Sequence, residues 1–332
     1  MPTVFQAFVV NKTEEDFSAD FKQLTVDDLP AGEVLIKVAY SSVNYKDGLA
    51  SIQEGKIVRS YPFVPGIDLA GTVAESNDSR FKVGDEVIAT SYALGVSHFG
   101  GYSEYASVKS DWIVPLPKGL TLKEAMALGT AGFTAALAIH QLEKNGLRPQ
   151  NGQVLVTGAT GGVGSIGINI LNSLGYTVAA STGKSSEHDY LRELGASEIL
   201  SREETSAESN RPLEKERWAG SLDSVGGSTL AYLIRSTRYG GSIAAYGNTG
   251  GPNVNTTVFP FILRAINVLG IESVNCPMEL RELLWHLLAS DYKPGHLLDT
   301  IGHEIPFEEL PQALAAILKG GIRGRTIIKI GY

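Results

Sequence analysis

Val154-Leu155-Val156-Thr157-Gly158-Ala159-Thr160-Gly161-Gly162-Val163-Gly164 is the stretch on which the fold of this chain turns. A short buried-type strand runs into a turn of small residues, and an apolar helix follows to about Leu174. Against the pattern G-x-G-x-x-G it reads Ala159-x-Gly161-x-x-Gly164, with Gly158 and Gly162 adding freedom where the first glycine is missing. Small residues let backbone approach a pyrophosphate, and the unpaired N–H groups of a helix start turn partial positive charge toward it. A glycine fingerprint alone also marks tight turns that bind nothing. The strand–turn–helix setting selects the dinucleotide reading and makes Thr160, Gly161, Gly162, Val163 and Gly164 the cofactor-loop candidates.

Working outward, strands are expected at Tyr176–Ser181, Ile199-Leu200, Ser221–Val225, Gly241–Tyr246 and Asn267–Gly270. Helices are expected through Tyr190–Leu194 and at Thr229–Ser236, Phe259–Arg264 and Met278–Leu288. That alternation predicts a doubly wound parallel sheet covered on both faces, an α/β class. The polar stretch Arg202–Glu216 reads as a surface helix and loop. Upstream, short apolar runs at Val4–Val10, Val34–Ala39, Leu69–Glu75, Glu86–Thr90 and Tyr102–Val108 lie between Gly and Pro turns and predict a β-rich domain. Thr121-x-x-Glu124 is a capping box opening a helix to about Lys144, interrupted around Gly129–Gly132. After Ser290 come one strand, a helix at Phe307–Lys319 and a closing strand Thr326–Ile330, too little for a domain and expected to return to the β-rich part. The expected division is 1–122 with 298–332, and 123–297.

Length agrees: 332 residues at roughly 150 per domain make about two. An apolar share of 43% excludes a disordered chain. The net charge of -8 argues against nucleic-acid and anionic-membrane partners. Cys276 is the sole cysteine, so neither an intrachain disulfide nor a four-cysteine zinc site can form; it reads as a small buried or interface residue. No basic-then-apolar leader opens the sequence, and the apolar runs are expected to fall short of the ~20 residues of a membrane span. A soluble, cytoplasmic protein is the expectation.

The end of the second Rossmann strand bears on the cofactor. An NAD site wants an acid there for the ribose 2′-hydroxyl. This chain has Ser181-Thr182-Gly183-Lys184 and no acid before Glu187. Hydroxyls and a lysine suit a 2′-phosphate, and Arg202 adds a guanidinium. NADPH is expected over NADH. The alternative for Lys184 and Arg202 is solvated surface.

The β-rich part, the Rossmann part and the return strand together resemble the medium-chain dehydrogenase/reductase superfamily over essentially the whole chain, which implies a GroES-like catalytic domain. Its zinc alcohol dehydrogenases carry a ligand cysteine in the segment matching Ser42–Asp47 and a Gly-His-Glu matching Gly66-Ile67-Asp68. Here the first has no cysteine, and Ile67 stands at the histidine. Asn44-Tyr45-Lys46-Asp47-Gly48-Leu49-Ala50, Tyr61-Pro62-Phe63-Val64-Pro65-Gly66-Ile67-Asp68, Gly129-Thr130-Ala131-Gly132-Phe133-Thr134-Ala135 and Ala180-Ser181-Thr182-Gly183-Lys184 resemble the quinone oxidoreductase branch. Within it they are similar to the YhdH/YhfP group, which includes NADPH-dependent acryloyl-CoA reductases.

The resemblance implies hydride transfer without zinc to an activated C=C bond, in an enoyl-CoA, an enone or a quinone-type acceptor. Charge moving onto the carbonyl oxygen then needs hydrogen-bond donors, and a proton must reach the α-carbon. Tyr45, placed by the resemblance beside the nicotinamide, is the candidate donor; the alternative is packing against the ring. Asn44 is expected to orient ribose or substrate, or to be a turn residue, and Asp47 with Asp68 to give the site polar support or to be structural. Thr130 faces the nicotinamide or only kinks a helix. Arg59 meets an acidic tail such as a CoA phosphate, or is idle. Gly247, Asn248 and Ile271 are implied along the cofactor, and Arg323-Gly324-Arg325, with Arg323 as the cofactor candidate, is implied to approach the substrate from the returning tail. Quinone reduction and a non-catalytic NADPH sensor remain as alternatives. Relatives pair through Rossmann edge strands, so a homodimer through Asn267–Val274 is expected.

Overall fold

Val34, Ile36 and Val38 alternate along the strand Val34–Ser42 and are fully buried, the period of two that a covered strand requires. Around this strand the computed structural model, which describes residues 3–14 and 16–331, builds the sheet of a first unit. The order is Gly302–Pro306, Arg325–Lys329, Val34–Ser42, Asp68–Ser76, Glu86–Thr90, Ile113–Pro115, with Tyr105–Val108 added against Val34–Ser42. The tail returns as expected: Ile327 pairs with Ser42 and Ile328 with Ser41, antiparallel. A hairpin of Val4–Lys12 with Phe17–Thr25 lies apart from this sheet. Its second strand has no expected counterpart, because Phe17–Thr25 has no fully buried residue and shows no apolar run.

Chain contacts divide the molecule into two units. The first runs to Thr130 and includes Val274–Ala289 and the chain from Gly302; the second is Ala131–Ser273 with Ser290–Ile301. By chain contacts Val274–Ala289 lies with the first unit, where the expected division has it in the Rossmann part. The helix Met278–Leu288 carries Arg281, fully buried, and its Nη1 donates to the Thr90 carbonyl (3.3 Å) and hydroxyl (3.0 Å). A buried guanidinium goes where its donors find acceptors, and those acceptors are in the first unit.

In the second unit six parallel strands run Ala196–Ser201, Val178–Thr182, Val154–Val156, Trp218–Asp223, Thr237–Ala245, Asn267–Gly270. The order reverses direction between Val154–Val156 and Trp218–Asp223, the switch point where ligands of such sheets bind. Arg202–Glu216 holds no helix, contrary to expectation; it is turns, bends and irregular chain. Thr205 bonds back to the Ser201 and Arg202 carbonyls, and Ser206 to Arg202, the local competition by which hydroxyls unseat a helix. The helix Leu122–Lys144 is by length and composition apolar enough to cross a membrane, against the expectation that no stretch is; 83% of its most apolar window is buried inside the protein, as in a core helix.

Candidate active site

The second unit supplies a nucleotide cleft. The turn after Val154–Val156 needs Gly158 at φ +56°, where a Cβ would stand 2.1 Å from the Ser224 hydroxyl. A Cβ on Gly164 would meet the Gly158 carbonyl at 2.6 Å, so the helix Gly162–Ser173 starts against the loop itself. Its first-turn N–H groups lack intrahelical acceptors by geometry, as an anion site requires. Beside it lies a cleft of about 160 Å³ lined by Gly158, Thr160, Ser181 to Lys184, Arg202, Thr205, Thr249 and Gly250 among others, with no carboxylate in its wall. The Arg202 guanidinium lies over Gly183, where a Cβ would be 3.1 Å from Nη2. Lys184 is half-buried, its N–H donating to the Thr182 hydroxyl at 3.1 Å. Two cations and a hydroxyl around an acid-free cleft fit a ribose 2′-phosphate.

Several cofactor candidates also make contacts within the protein. The Ser181 hydroxyl is engaged with Thr205 Oγ1 at 2.6 Å. Thr249 and Gly250, not Gly247 and Asn248, line the cleft. Gly247 packs so closely on Ser224 that a Cβ would lie 2.4 Å from its carbonyl oxygen. The Ile271 N–H donates to the Ala245 carbonyl (3.0 Å) and extends the sheet.

The first unit holds a buried polar cluster. Asn44 caps the short helix Tyr45–Ala50. Asp47, completely buried, accepts from the Asn44 N–H (2.9 Å) and side-chain amide (3.1 Å) through Oδ2, and from the Ile67 N–H (2.9 Å) through Oδ1. Where a zinc dehydrogenase would present histidine, Ile67 thus contributes only backbone. Asp68 is equally buried; its Oδ2 accepts from Ser42 Oγ (2.7 Å), Asn44 Nδ2 (2.8 Å) and the Thr130 N–H (2.9 Å), and its Oδ1 from the Thr130 hydroxyl. Arg325 completes the cluster at 3% exposure: it donates to the Ala127 and Val43 carbonyls, to Asn44 Oδ1 (3.1 Å) and to Ser42 Oγ (2.7 Å), with Asp68 at 3.7 Å. Among the described residues no group of three His, Cys, Asp or Glu side chains is arranged to hold a metal.

This geometry sorts the catalytic candidates. Both N–H bonds of the Asn44 amide go to carboxylates and its oxygen accepts from Arg325, so none of its donors is left for a substrate. Asp47 is sealed in. Tyr45, first residue of the helix, is 53% exposed. Thr130 joins the cluster through a helix kink at Gly129, whose φ of 50° and ψ of -154° free the next N–H for Asp68. Of the tail arginines, exposed Arg323 stays outside while Arg325 enters. Arg325 is expected only as part of Arg323-Gly324-Arg325 on the returning tail; Ser42 and Tyr102, whose hydroxyl donates to the Ser42 carbonyl at 3.1 Å, have no individual signal in the sequence. Arg59 is exposed and forms no ion pair among the described residues.

Burial, and secondarily the Asp68 charge, push the Asp47 carboxyl from 3.8 up to about 7 despite the three N–H bonds that oppose this. A group with a raised folded value binds more protons folded than unfolded. Its stabilisation is complete below about 4 and is lost as pH rises through about 7, on the order of 4 kcal/mol over that window. Asp47→Asn should flatten the difference in urea stability between pH 5 and pH 8. An equally steep wild type and variant would show that another group titrates.

Two segments of the chain match known protein families. Residues 30–118 match the alcohol dehydrogenase GroES-like domain and residues 162–290 the zinc-binding dehydrogenase domain. YhfP of Bacillus subtilis is 56% identical over 99% of this chain and 100% of its own. Its structure with NAD bound has a TM-score of 0.96, covering 98% of this chain and 99% of that one. The yhdH oxidoreductase of Salmonella enterica in complex with NADP is 47% identical, covers 98% and 100%, and has a TM-score of 0.95. The acrylyl-CoA reductase AcuI of Ruegeria pomeroyi is 50% identical over 98% of this chain and 99% of its own. The chain belongs to the medium-chain dehydrogenase/reductase family of oxidoreductases, in its quinone oxidoreductase-like group with YhfP, YhdH and AcuI.

Proposed function

We propose that the protein is an NADPH-dependent, zinc-independent reductase of activated C=C bonds, with acryloyl-CoA or a related enoyl thioester as substrate. The observation that carries this reading is the exposed Tyr45 phenol beside a saturated buried cluster that has no metal-ligand set. When bound, NADPH supplies the hydride. The first-turn N–H groups of Gly162–Ser173 hold its pyrophosphate, and Lys184 and Arg202 its 2′-phosphate. Tyr45 donates to the carbonyl oxygen as charge gathers there, and Asn44, Asp47, Asp68 and Arg325 keep the start of its helix in place. Arg59 offers an exposed cation to the phosphates of CoA. A quinone carbonyl could take the same phenol donor, which keeps quinone reduction as the second reading.

The test is NADPH oxidation with acryloyl-CoA, a simple enone and a quinone in parallel, before and after dialysis against a strong chelator. The highest kcat/KM is expected for acryloyl-CoA, unchanged by chelation. A faster quinone reaction would establish the second reading. Tight NADPH binding with no turnover would favour a sensor, and a chelator loss restored by zinc would refute the metal-free reading. Binding should also favour NADPH over NADH. Lys184→Ala and Arg202→Ala should each weaken NADPH by about ten- to hundredfold, the worth of a charged hydrogen bond. Equal wild-type affinity for both cofactors would overturn the assignment of this cleft.

A homodimer belongs to the same proposal. The edge strand Asn267–Gly270 has an unpaired side. Beside it in sequence Val258 (65%), Ile262 (68%) and Leu263 (56%) are exposed. An open strand edge with exposed apolar side chains is a surface that another chain covers. Ile262→Asp should shift sedimentation from dimer to monomer; a monomeric wild type would refute the pairing.

A further inference from the structure

The strand Glu86–Thr90 is followed by two residues with side chains in the left-handed region, Ser91 at φ 67° and Tyr92 at φ 51°. That conformation is disfavoured for any residue with a Cβ, and two in succession persist only where surroundings over-determine them. Here they do. The Ser91 N–H donates to the Ile67 carbonyl (2.9 Å) and the Tyr92 N–H to the Val274 carbonyl (3.2 Å). The Tyr92 hydroxyl donates to the Cys276 carbonyl (3.1 Å). Its ring stacks on Trp112 at 5.9 Å and 10°, and the Arg281 guanidinium lies over it at 4.5 Å. The helix Met278–Leu288 and its approach thus hold this turn.

What the strained turn achieves is the placement of one hydroxyl. Ser91 Oγ lies 3.2 Å from Thr130 Oγ1, and either atom could donate. Thr130 has one hydroxyl proton, and it goes to Asp68 Oδ1. Ser91 is therefore the donor to Thr130, in a chain directed from Ser91 through Thr130 to Asp68. With its only proton committed, the Ser91 oxygen can act toward a ligand only as an acceptor. The residue keeps 4% of its surface accessible.

We infer that Ser91 Oγ is a ligand-binding acceptor that takes an amide N–H donor. Under the function proposed above, on which this rests, two ligands carry such a group: the carboxamide of the nicotinamide and the amides of the CoA arm. A hydroxyl oriented by a hydrogen-bonded chain ending at a carboxylate prefers such a donor to a ligand without one, because an acceptor facing no donor is left unpaired.

The experiment uses the full-length protein with Ser91→Ala and Ser91→Gly. In the cofactor arm, affinities are measured by titration for NADP and for its acetylpyridine analogue, whose methyl ketone has no N–H. In the substrate arm, KM is measured for acryloyl-CoA and for an acryloyl thioester of a simple alkyl thiol that lacks amides. Both variants should weaken the amide-bearing ligand of one arm by about three- to tenfold and leave its amide-free counterpart unchanged. The arm that responds identifies the source of the amide. Ser91→Gly relieves the positive φ, so its melting temperature should not fall, and a loss of affinity there cannot come from unfolding. Binding and KM values within twofold of wild type in both arms would overturn the inference while leaving the reductase reading intact. A wild type that binds no NADP and turns over no acryloyl thioester would overturn both.

Discussion

Tyr45→Phe should lower kcat by about 10²–10³-fold, the usual cost of one donor to a developing oxyanion. The proposed reaction places negative charge on the carbonyl oxygen only as hydride arrives. A donor at that oxygen therefore stabilises the transition state more than the bound substrate, and its loss falls on kcat rather than on KM. The ring, 53% exposed at the first position of the helix Tyr45–Ala50, is retained in the variant, and none of the hydrogen bonds that fix Asn44, Asp47, Asp68 and Arg325 runs through its hydroxyl. Fold and NADPH affinity should thus be close to wild type. Steady-state kinetics with acryloyl-CoA and a parallel NADPH titration check both halves. Near-normal kcat would show that Tyr45 only packs. Asn44 would not inherit the role, since its amide is saturated, and backbone N–H groups would become the candidates.

The difference between Tyr45 and Asn44 shows what a sequence can and cannot disclose. Both residue types suit hydrogen bonding to a substrate, and they are adjacent. Only the fold reveals that Asp47, Asp68 and Arg325 consume the amide of Asn44. The partners lie 3, 24 and 281 positions away, and just the first of these distances is local. The glycine loop was legible because its chemistry is contained in eleven consecutive residues with a strand before and a helix after. The acid-free end of Val178–Thr182 was legible for the same reason. For Arg325 the sequence suggests an approach from the tail but not its burial against Asn44 and Ser42, because an arginine opening an apolar strand looks like a solvated flank until the strand is paired. Phe17–Thr25 escapes a reading by apolar runs because its apolar residues Phe17, Ala19 and Phe21 alternate with polar ones and are only half-buried against the core. In the sequence the helix within Val274–Ala289 is one more element of the α/β alternation, and only long-range contacts draw it to the first unit. The Arg281 contacts that assign it to the first unit span about 190 residues.

Gly129→Ala should be among the most damaging single-methyl changes in the chain. Gly129 sits at φ 50° and ψ -154°, a region almost closed to residues with a Cβ, at a typical cost of about 1–3 kcal/mol. Space compounds the strain. The added Cβ would stand 2.5 Å from Asp68 Oδ2, 2.7 Å from Arg325 Nη2 and 2.8 Å from Ser42 Oγ. These atoms cannot move aside without breaking bonds inside a cluster that water does not reach, and disrupting a buried ion pair typically costs about 3–5 kcal/mol. A total of about 4 kcal/mol or more corresponds to a fall of roughly 10 °C in melting temperature for a unit of this size. The kink also frees the Thr130 N–H for Asp68, so activity should fall along with stability. Gly146→Ala is the control: its φ is +93°, but a Cβ there meets nothing within 4 Å. It carries backbone strain without the crowding and should cost only about 1–2 kcal/mol. If thermal melts put the two variants at the same modest loss, backbone conformation alone would explain Gly129. A deficit at Gly129 well beyond that of Gly146, accompanied by lost turnover, would show that the missing side chain makes room for the buried charges beneath the site.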